Sequence, residues 1–452
     1  MLYARHMVIP LQYIEFYGLS GFPVSLKTIT TRVIALISLF AAVSTAYAAE
    51  DTIRGSTAAT MPHPELAPKG IHYGSFIFLP GIVYSLDYTD NIFATESNTK
   101  SGYVSNLIPS ISANSDWNRH ALNFGAFALK SVNHEFSSED YTDWNVQVDG
   151  LIDISHKSSL SLGASTGVEH IARSAPDNTR GDEPTEFDRT SVFSRYSHTT
   201  GRVVSAININ ITRKEYQDVD AVRLGIPVTL DLSDRDRTES RLKFRIGYRY
   251  IESQQVFVSV ERFDRDYDSR RDISGFDQSS TGFKYLLGSS FDYHGIILGE
   301  VAVGYRTQNY KQPYEDIHTP IVEASVRWNV TDLSTVNFNL EQSAQESINR
   351  FFTGYTSTTA SLGLDHELRR NLVLDLELVL TRNDYVGIDP AERTDDIFYI
   401  TAGSRYRMNR NLFFNARYTH VERNSDLELG PAQSSRFDFS ENLISLQLQA
   451  QF

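Results

Sequence analysis

The closing run Ile444-Ser445-Leu446-Gln447-Leu448-Gln449-Ala450-Gln451-Phe452 places an apolar residue at every second position, a polar one between, and an aromatic residue at the carboxy terminus. A period of two marks a strand with one apolar and one wet face. Chain ends fray unless something ties them down. A last strand this regular therefore predicts a neighbour on each edge, which a closed barrel supplies by pairing its last strand with its first.

The alternation recurs from Phe76 onward in segments of roughly ten to sixteen residues, parted in turn by a short polar connection and a longer acidic one. Among the predicted strands are Phe76 to Asp90, Gly102 to Ser115, Tyr141 to Ser155, Gln254 to Tyr267, Asn371 to Asp384 and Arg436 to Phe452. The pattern predicts about 18 strands, with 16 as the alternative count, and an even number is what single-chain outer-membrane barrels require. Counting back from Phe452, the short turns Asp116-Trp117-Asn118, His156-Lys157, Arg369-Arg370 and Asn409-Arg410 all fall on one side. The long acidic stretches Ser174 to Glu186 and Gln217 to Arg237 fall on the other, and Leu224 to Leu230 reads as a hairpin strand within a loop. The fold class is all-β, a single transmembrane antiparallel up-and-down barrel over 76–452.

Hydrophobic phase assigns the faces. In Arg241-Leu242-Lys243-Phe244-Arg245-Ile246-Gly247-Tyr248-Arg249 the cations and the apolar residues alternate, and Arg or Lys facing lipid at the midplane costs roughly 2–4 kcal/mol. The cations therefore point inward. The same rule turns Glu323, Asp375 and Glu377 inward and sends Ile444, Leu446, Leu448 and Phe452 toward lipid. A polar interior of this kind is water-filled or plugged by loops, because a packed core would not hold so many charges.

The amino-terminal residues follow a different pattern. Lys27 and Arg32 precede the apolar run Val33 to Val43, and Ala46-Tyr47-Ala48 supplies a small-x-small cleavage site, so 1–48 reads as a secretory signal peptide whose true start lies near Val24. Residues 49–75, rich in Pro, Ser and Thr, are expected as a flexible periplasmic lead-in. Removing 1–48 takes Lys+Arg from 42 to 39 and Asp+Glu from 56 to 55, a balance of −16. An acidic chain lacks the basic footprint of a nucleic-acid binder. Mean hydropathy is −0.30, as expected when lipid-facing and lumen-facing residues average out. The sequence contains no Cys, which excludes disulfides and Cys-ligated metals.

Arg241, Lys243, Arg245 and Arg249, joined by Lys284, Arg306, Arg405 and Arg417, form either a basic lane that steers an anionic solute or an ion-pair network with Glu300, Glu323, Asp375 and Glu377. Inward Phe257, Tyr399 and Phe413 offer a sugar-stacking track or simple filling. Asp264, Asp266 and Asp268 resemble half a calcium loop without its Gly and closing Glu. His120, His156, His198, His294 and His366 are spread over rim turns, so no metal site and no cofactor is expected. Ser155-His156 and Ser197-His198 are neighbours in sequence, where alternation sends them to opposite faces, so no catalytic set is expected.

The runs Phe78-Leu79-Pro80-Gly81, Tyr88-Thr89-Asp90-Asn91-Ile92-Phe93 and Leu107-Ile108-Pro109-Ser110-Ile111, with Ser138-Glu139-Asp140-Tyr141 further on, resemble a family of outer-membrane β-barrel porins often found with exopolysaccharide and capsule loci. The resemblance implies a non-enzymatic outer-membrane channel for export of exopolysaccharide, with a general or anion-selective diffusion porin or a non-conducting structural or surface-binding barrel as alternatives. The partners it implies are outer-membrane lipid and lipopolysaccharide, polysaccharide and periplasmic export components. The terminal strand resembles the signal read by the barrel-assembly machinery, with Ile444, Leu446, Leu448 and Phe452 as its apolar positions.

Overall fold

The computed structural model describes residues 56–452 apart from 177, 180, 224, 270–276, 348–351, 388–390 and 430–436. Its first eight strands are β1 (Ile71–Tyr73), β2 (Phe76–Thr89), β3 (Gly102–Ser115), β4 (Ala121–Asn133), β5 (Tyr141–Ser155), β6 (Ser158–His170), β7 (Glu186–Thr200) and β8 (Val203–Tyr216). A hairpin of β9 (Val219–Arg223) and β10 (Ile226–Leu230) follows, then β11 (Arg237–Ile251), β12 (Gln254–Tyr267), β13 (Ser280–Tyr293), β14 (Ile297–Tyr310) and β15 (Ile317–Thr331). The last six are β16 (Ser334–Glu346), β17 (Phe352–Arg369), β18 (Leu372–Gly387), β19 (Ala391–Arg407), β20 (Leu412–Leu429) and β21 (Phe439–Gln451).

Strands β2–β8 and β11–β21 form an 18-strand closed antiparallel barrel. Closure is made by the strand that alternates most cleanly. β21 pairs with β20 from Leu412↔Ala450 to Arg423↔Phe439, and with β2 from Gly81↔Gln451 to Thr89↔Leu443. The Phe452 amide donates to Pro80 O at 3.1 Å, so the chain end is held to its last residue. Closing the sheet leaves no unpaired edge for lipid to solvate, the condition a membrane imposes.

Alternation places the side chains as the pattern predicts. Leu242, Phe244, Ile246 and Tyr248 are exposed on the outer face, and Arg241, Lys243, Arg245 and Arg249 between them are half-buried inside. Pro109 leaves its mark: the β3–β4 ladder runs through Leu107↔Lys130 and resumes at Ser110↔Phe127, skipping the two pairs around the residue that has no amide proton to give.

One rim carries the short turns 116–120, 156–157, 201–202, 252–253, 294–296, 332–333, 370–371 and 408–411. It is the periplasmic rim by the rule for outer-membrane barrels. The other carries the long connections, among them 90–101, 134–140, 171–185 and 217–236, the last holding the β9–β10 hairpin where a loop strand was expected.

The described part of the expected lead-in lies against the barrel. β1 folds back on the foot of β2 through Ile71↔Phe78, His72↔Ile77 and Tyr73↔Phe76. Upstream, the Ala58 amide donates to Thr335 Oγ1 at 2.9 Å, His63 Nε2 meets Glu367 Oε2 at 3.0 Å, and Arg407 donates to Ala59 O at 3.3 Å. These partners lie at the short-turn ends of β16, β17 and β19, so the segment crosses that mouth from the foot of β2. It differs from a free leader because Ala58 and Thr57 are buried and each polar anchor has a partner on the wall. Residues 1–48 and the beginning of 49–75 lie outside the described residues.

Candidate functional site

The eight inward cations divide between two walls. On β11–β14, Arg245 donates two hydrogen bonds to Glu300, at 2.9 and 2.7 Å, and lies 3.5 Å over the Phe257 ring. Lys284 sits 3.0 Å from Glu323 and 3.5 Å from Glu261. Arg306, the register partner of Lys284, lies 5.3 Å over Phe263. Arg241 belongs to a denser knot toward the long-loop mouth, where the Glu239 carboxylate faces Arg237 at 3.0 Å, Lys214 at 3.1 Å, Arg265 at 3.6 Å and Arg241 at 3.7 Å. Four cations thus share the buried Glu239 carboxylate, each close enough to benefit from it.

Arg405 and Arg417 are on β19 and β20, at least five strands from β14, so they do not extend the β11–β14 lane. Arg417 lies 3.3 Å from Asp375, and both flank Arg405 with Ser404, Asn415, Ser445 and Gln447 around a small hollow of the wall. The register sorts these cations into two groups. Lys243 and Arg249 share the inner face of β11 with Arg241 and Arg245, and Glu377 lies inward beside Asp375 on β18.

The lumen wall also has apolar patches that a wholly polar interior would lack. Val83, Ile108 and Leu129 form one, Phe257, Leu286, Ala302 and Ile321 another, and Val379, Ile397, Tyr399, Val421 and Phe439 a third. Phe257, Tyr399 and Phe413, the sugar-stacking candidates, are all buried. Buried rings offer no face to a solute; packing under neighbouring side chains is their observed role.

At the seam of β2 and β21 a polar lattice spans the closure. Asp90 accepts from the Asn442 amide and from Asn442 Nδ2, both at 2.7 Å, and Thr89 Oγ1 donates to Glu441 at 2.7 Å. Asp87 accepts from Ser445 Oγ at 2.5 Å and from Asn106 Nδ2 at 2.8 Å. Asn91, 1% exposed, donates from Nδ2 to Thr95 O and to Ser440 O, each at 2.8 Å. The run Tyr88 to Phe93 thus bolts the first strand to the last. At the rim of the β8–β11 connection Asp236 accepts from the Tyr216 amide at 2.6 Å, and burial raises its pKa despite that bond.

With the barrel, its two charged walls and its seam in view, the family model described as "Putative beta-barrel porin 2" matches residues 63–452. The chain belongs to that family. Solved structures with a similar fold include the outer membrane protein OpdK from Pseudomonas aeruginosa, 11% identical, covering 83% of this chain and 99% of that one with a TM-score of 0.44. The siderophore receptor PirA from Acinetobacter baumannii is 8% identical, covers 83% of this chain and 80% of its own, and has a TM-score of 0.42. The copper transporter OprC is 8% identical, covers 85% and 84%, and has a TM-score of 0.45. A search of curated proteins returns no match.

In this porin-family barrel, cross-strand register makes serine–histidine pairs that neighbours in sequence do not. Ser158 Oγ lies 2.7 Å from His198 Nδ1, and Ser334 Oγ 2.9 Å from His366 Nδ1. His198 Nε2 meets the Thr200 hydroxyl at 2.6 Å, so no carboxylate orients that ring. Both pairs face outward at the short-turn rim, beside outward rings such as Tyr196. Asp264 binds Arg262 and Thr281, and Asp268 binds Arg213, so arginines take two of the three carboxylates of the half-calcium pattern. Among the described residues no group of three or more His, Cys, Asp or Glu side chains could hold a metal ion.

Proposed function

We propose that the protein is a non-enzymatic outer-membrane channel for anionic solutes, with export of an exopolysaccharide as its role and a cleaved signal peptide as its route of delivery. The observation that carries the anion preference is the β11–β14 wall. There Arg237, Arg241 and Arg265, with Lys214 of the adjoining β8, surround Glu239, and Lys243 and Arg245 continue the inner face of β11 at alternate positions, about 7 Å apart, with Arg249 about 13 Å further on. A row of cations at that spacing offers an anion a next site before it leaves the last one, which is how a pore wall conducts without trapping. Ion pairing tempers the row, and the four cations gathered on Glu239 support a positive local potential. The polymer as cargo rests on the family resemblance carried by Tyr88 to Phe93 and Leu107 to Ile111. Surrounding lipid and lipopolysaccharide would cover the exposed apolar band, and the assembly machinery would read Ile444, Leu446, Leu448 and Phe452, all of which face outward.

The test is the reversal potential of the channel in a salt gradient across a planar bilayer. A unit charge about 7 Å from the ion path contributes roughly 0.6 kcal/mol in water before screening. Replacing Arg241, Lys243 and Arg245 together with Gln is therefore expected to lower the anion/cation permeability ratio by about threefold or more. An unchanged ratio would remove the basic wall from the account. A deletion strain that still releases its exopolysaccharide at the parental level would contradict the export role and leave a diffusion porin.

A further inference from the structure

The third apolar patch includes a residue from a loop. Val379, Ile397, Tyr399, Val421 and Phe439 lie on the inner face of β18–β21, each under a tenth exposed, and the residue that completes their cluster is Ala94 of the connection 90–101. On a polar-lined wall, an apolar residue laid on such a patch removes further apolar surface from water. Ala94 reaches it with a φ of 50°, a left-handed conformation that residues with a Cβ rarely adopt and that surrounding contacts must enforce.

Those contacts are present on both sides of Ala94. Asn91 anchors the start of the loop to β21 through Ser440 O and turns it inward, with the Thr95 amide donating to Asn91 Oδ1 at 3.1 Å and the Ala94 amide to Asn91 O at 3.1 Å. Phe93 rests edge-on against Phe136 at 5.1 Å. Beside the patch, buried Arg423 stacks 4.7 Å over Phe439 and donates to Phe437 O at 2.7 Å and to Ser174 O at 3.3 Å. The second half of the loop, Glu96 to Lys100, is exposed, so only its first turn is committed to the lumen wall.

We propose that the connection 90–101 is a lid, closing the long-loop mouth while Ala94 is seated among Val379, Ile397, Tyr399, Val421 and Phe439, and swinging outward about Asp90 and Asn91 to admit solute. Strain at Ala94 opposes the closed state, and the apolar seat supplies the compensating contact. The inference goes beyond the channel reading and rests on it for its purpose, whereas the closure itself can be tested without current.

The natural chain has no Cys, so a single thiol is a clean reporter. In Val379→Cys barrels reconstituted in liposomes, a membrane-impermeant thiol reagent is expected to label slowly. Adding Ala94→Asp, which puts a charge in the apolar seat, should speed labelling at least tenfold and raise mean conductance. Ala94→Gly, which tolerates the left-handed φ, should leave labelling slow. Heat-modifiable mobility on gels confirms that each barrel is folded; if Ala94→Asp does not fold, Asn91→Ala, which cuts the anchor outside the seat, replaces it with the same expectation. Labelling that is already fast with Ala94 in place, or unmoved by both lid variants, would overturn the lid. Faster labelling without any current would support the lid and contradict the channel.

Discussion

Arg245 shows what single residues contribute and how far their roles can be read. Its inward direction follows from the alternation of Arg241 to Arg249 alone, because every other position in that run is apolar. Its partner does not follow, since Glu300 is three strands away in the ladder and reaches it only through barrel curvature. The same holds for Ser158 and His198, joined by register across 40 residues. A period of two gives the face of a side chain and leaves its neighbours open. The pair is partly shielded, with 14% and 21% of the two side chains exposed. Arg245→Ala should therefore destabilise the barrel by about 1–3 kcal/mol, by leaving Glu300 without its charge-assisted bonds. In urea titrations of refolded barrel, the Arg245→Ala, Glu300→Ala double variant should recover part of that loss. Strictly additive losses would show that the two groups are not coupled.

At the scale of elements the chain is easier to read. β3, β5 and β12 begin and end where the alternation does, since lipid outside and water inside act on every residue of a barrel strand. The loops follow no such rule. Nothing in the composition of 90–101 separates Asn91 and Ala94, which turn inward, from the exposed residues after them, and the strand that holds them down is at the other end of the chain. The Pro- and Thr-rich segment after 49 likewise reads as free chain, because its anchors Thr335, Glu367 and Arg407 are polar groups far off in sequence. The Tyr88 to Phe93 run, legible only as a family mark, has a physical use as the seam clasp. Asp90→Ala removes two short acceptor contacts to Asn442 and should cost about 1.5–3 kcal/mol, with Asp90→Asn costing less because one acceptor remains. Thermal unfolding followed by heat-modifiable mobility checks the order of the two. Deleting Phe452 removes the last outward ring and the amide bonded to Pro80 O, and should cut the yield of inserted barrel. Insertion at the parental level would count against the terminal strand as an assembly signal.

As a whole the molecule is a closed wall with crossings at both mouths. Residues 56–73 cross the short-turn rim from the foot of β2 to β16, β17 and β19. At the long-loop rim, Ala94 from the connection after β2 and Ser174 from the connection after β6 meet the β18–β21 wall. Between them the lumen carries the cations gathered on Glu239 on one side and the Arg417–Asp375 pair on the other. The proposed channel conducts and prefers anions, and single-channel recording of the purified wild-type chain in a planar bilayer is the decisive experiment. The account predicts discrete current steps with a reversal potential displaced toward that of the anion in a salt gradient. A folded, heat-modifiable barrel that inserts and carries no current, or one whose reversal potential lies toward the cation, would contradict it.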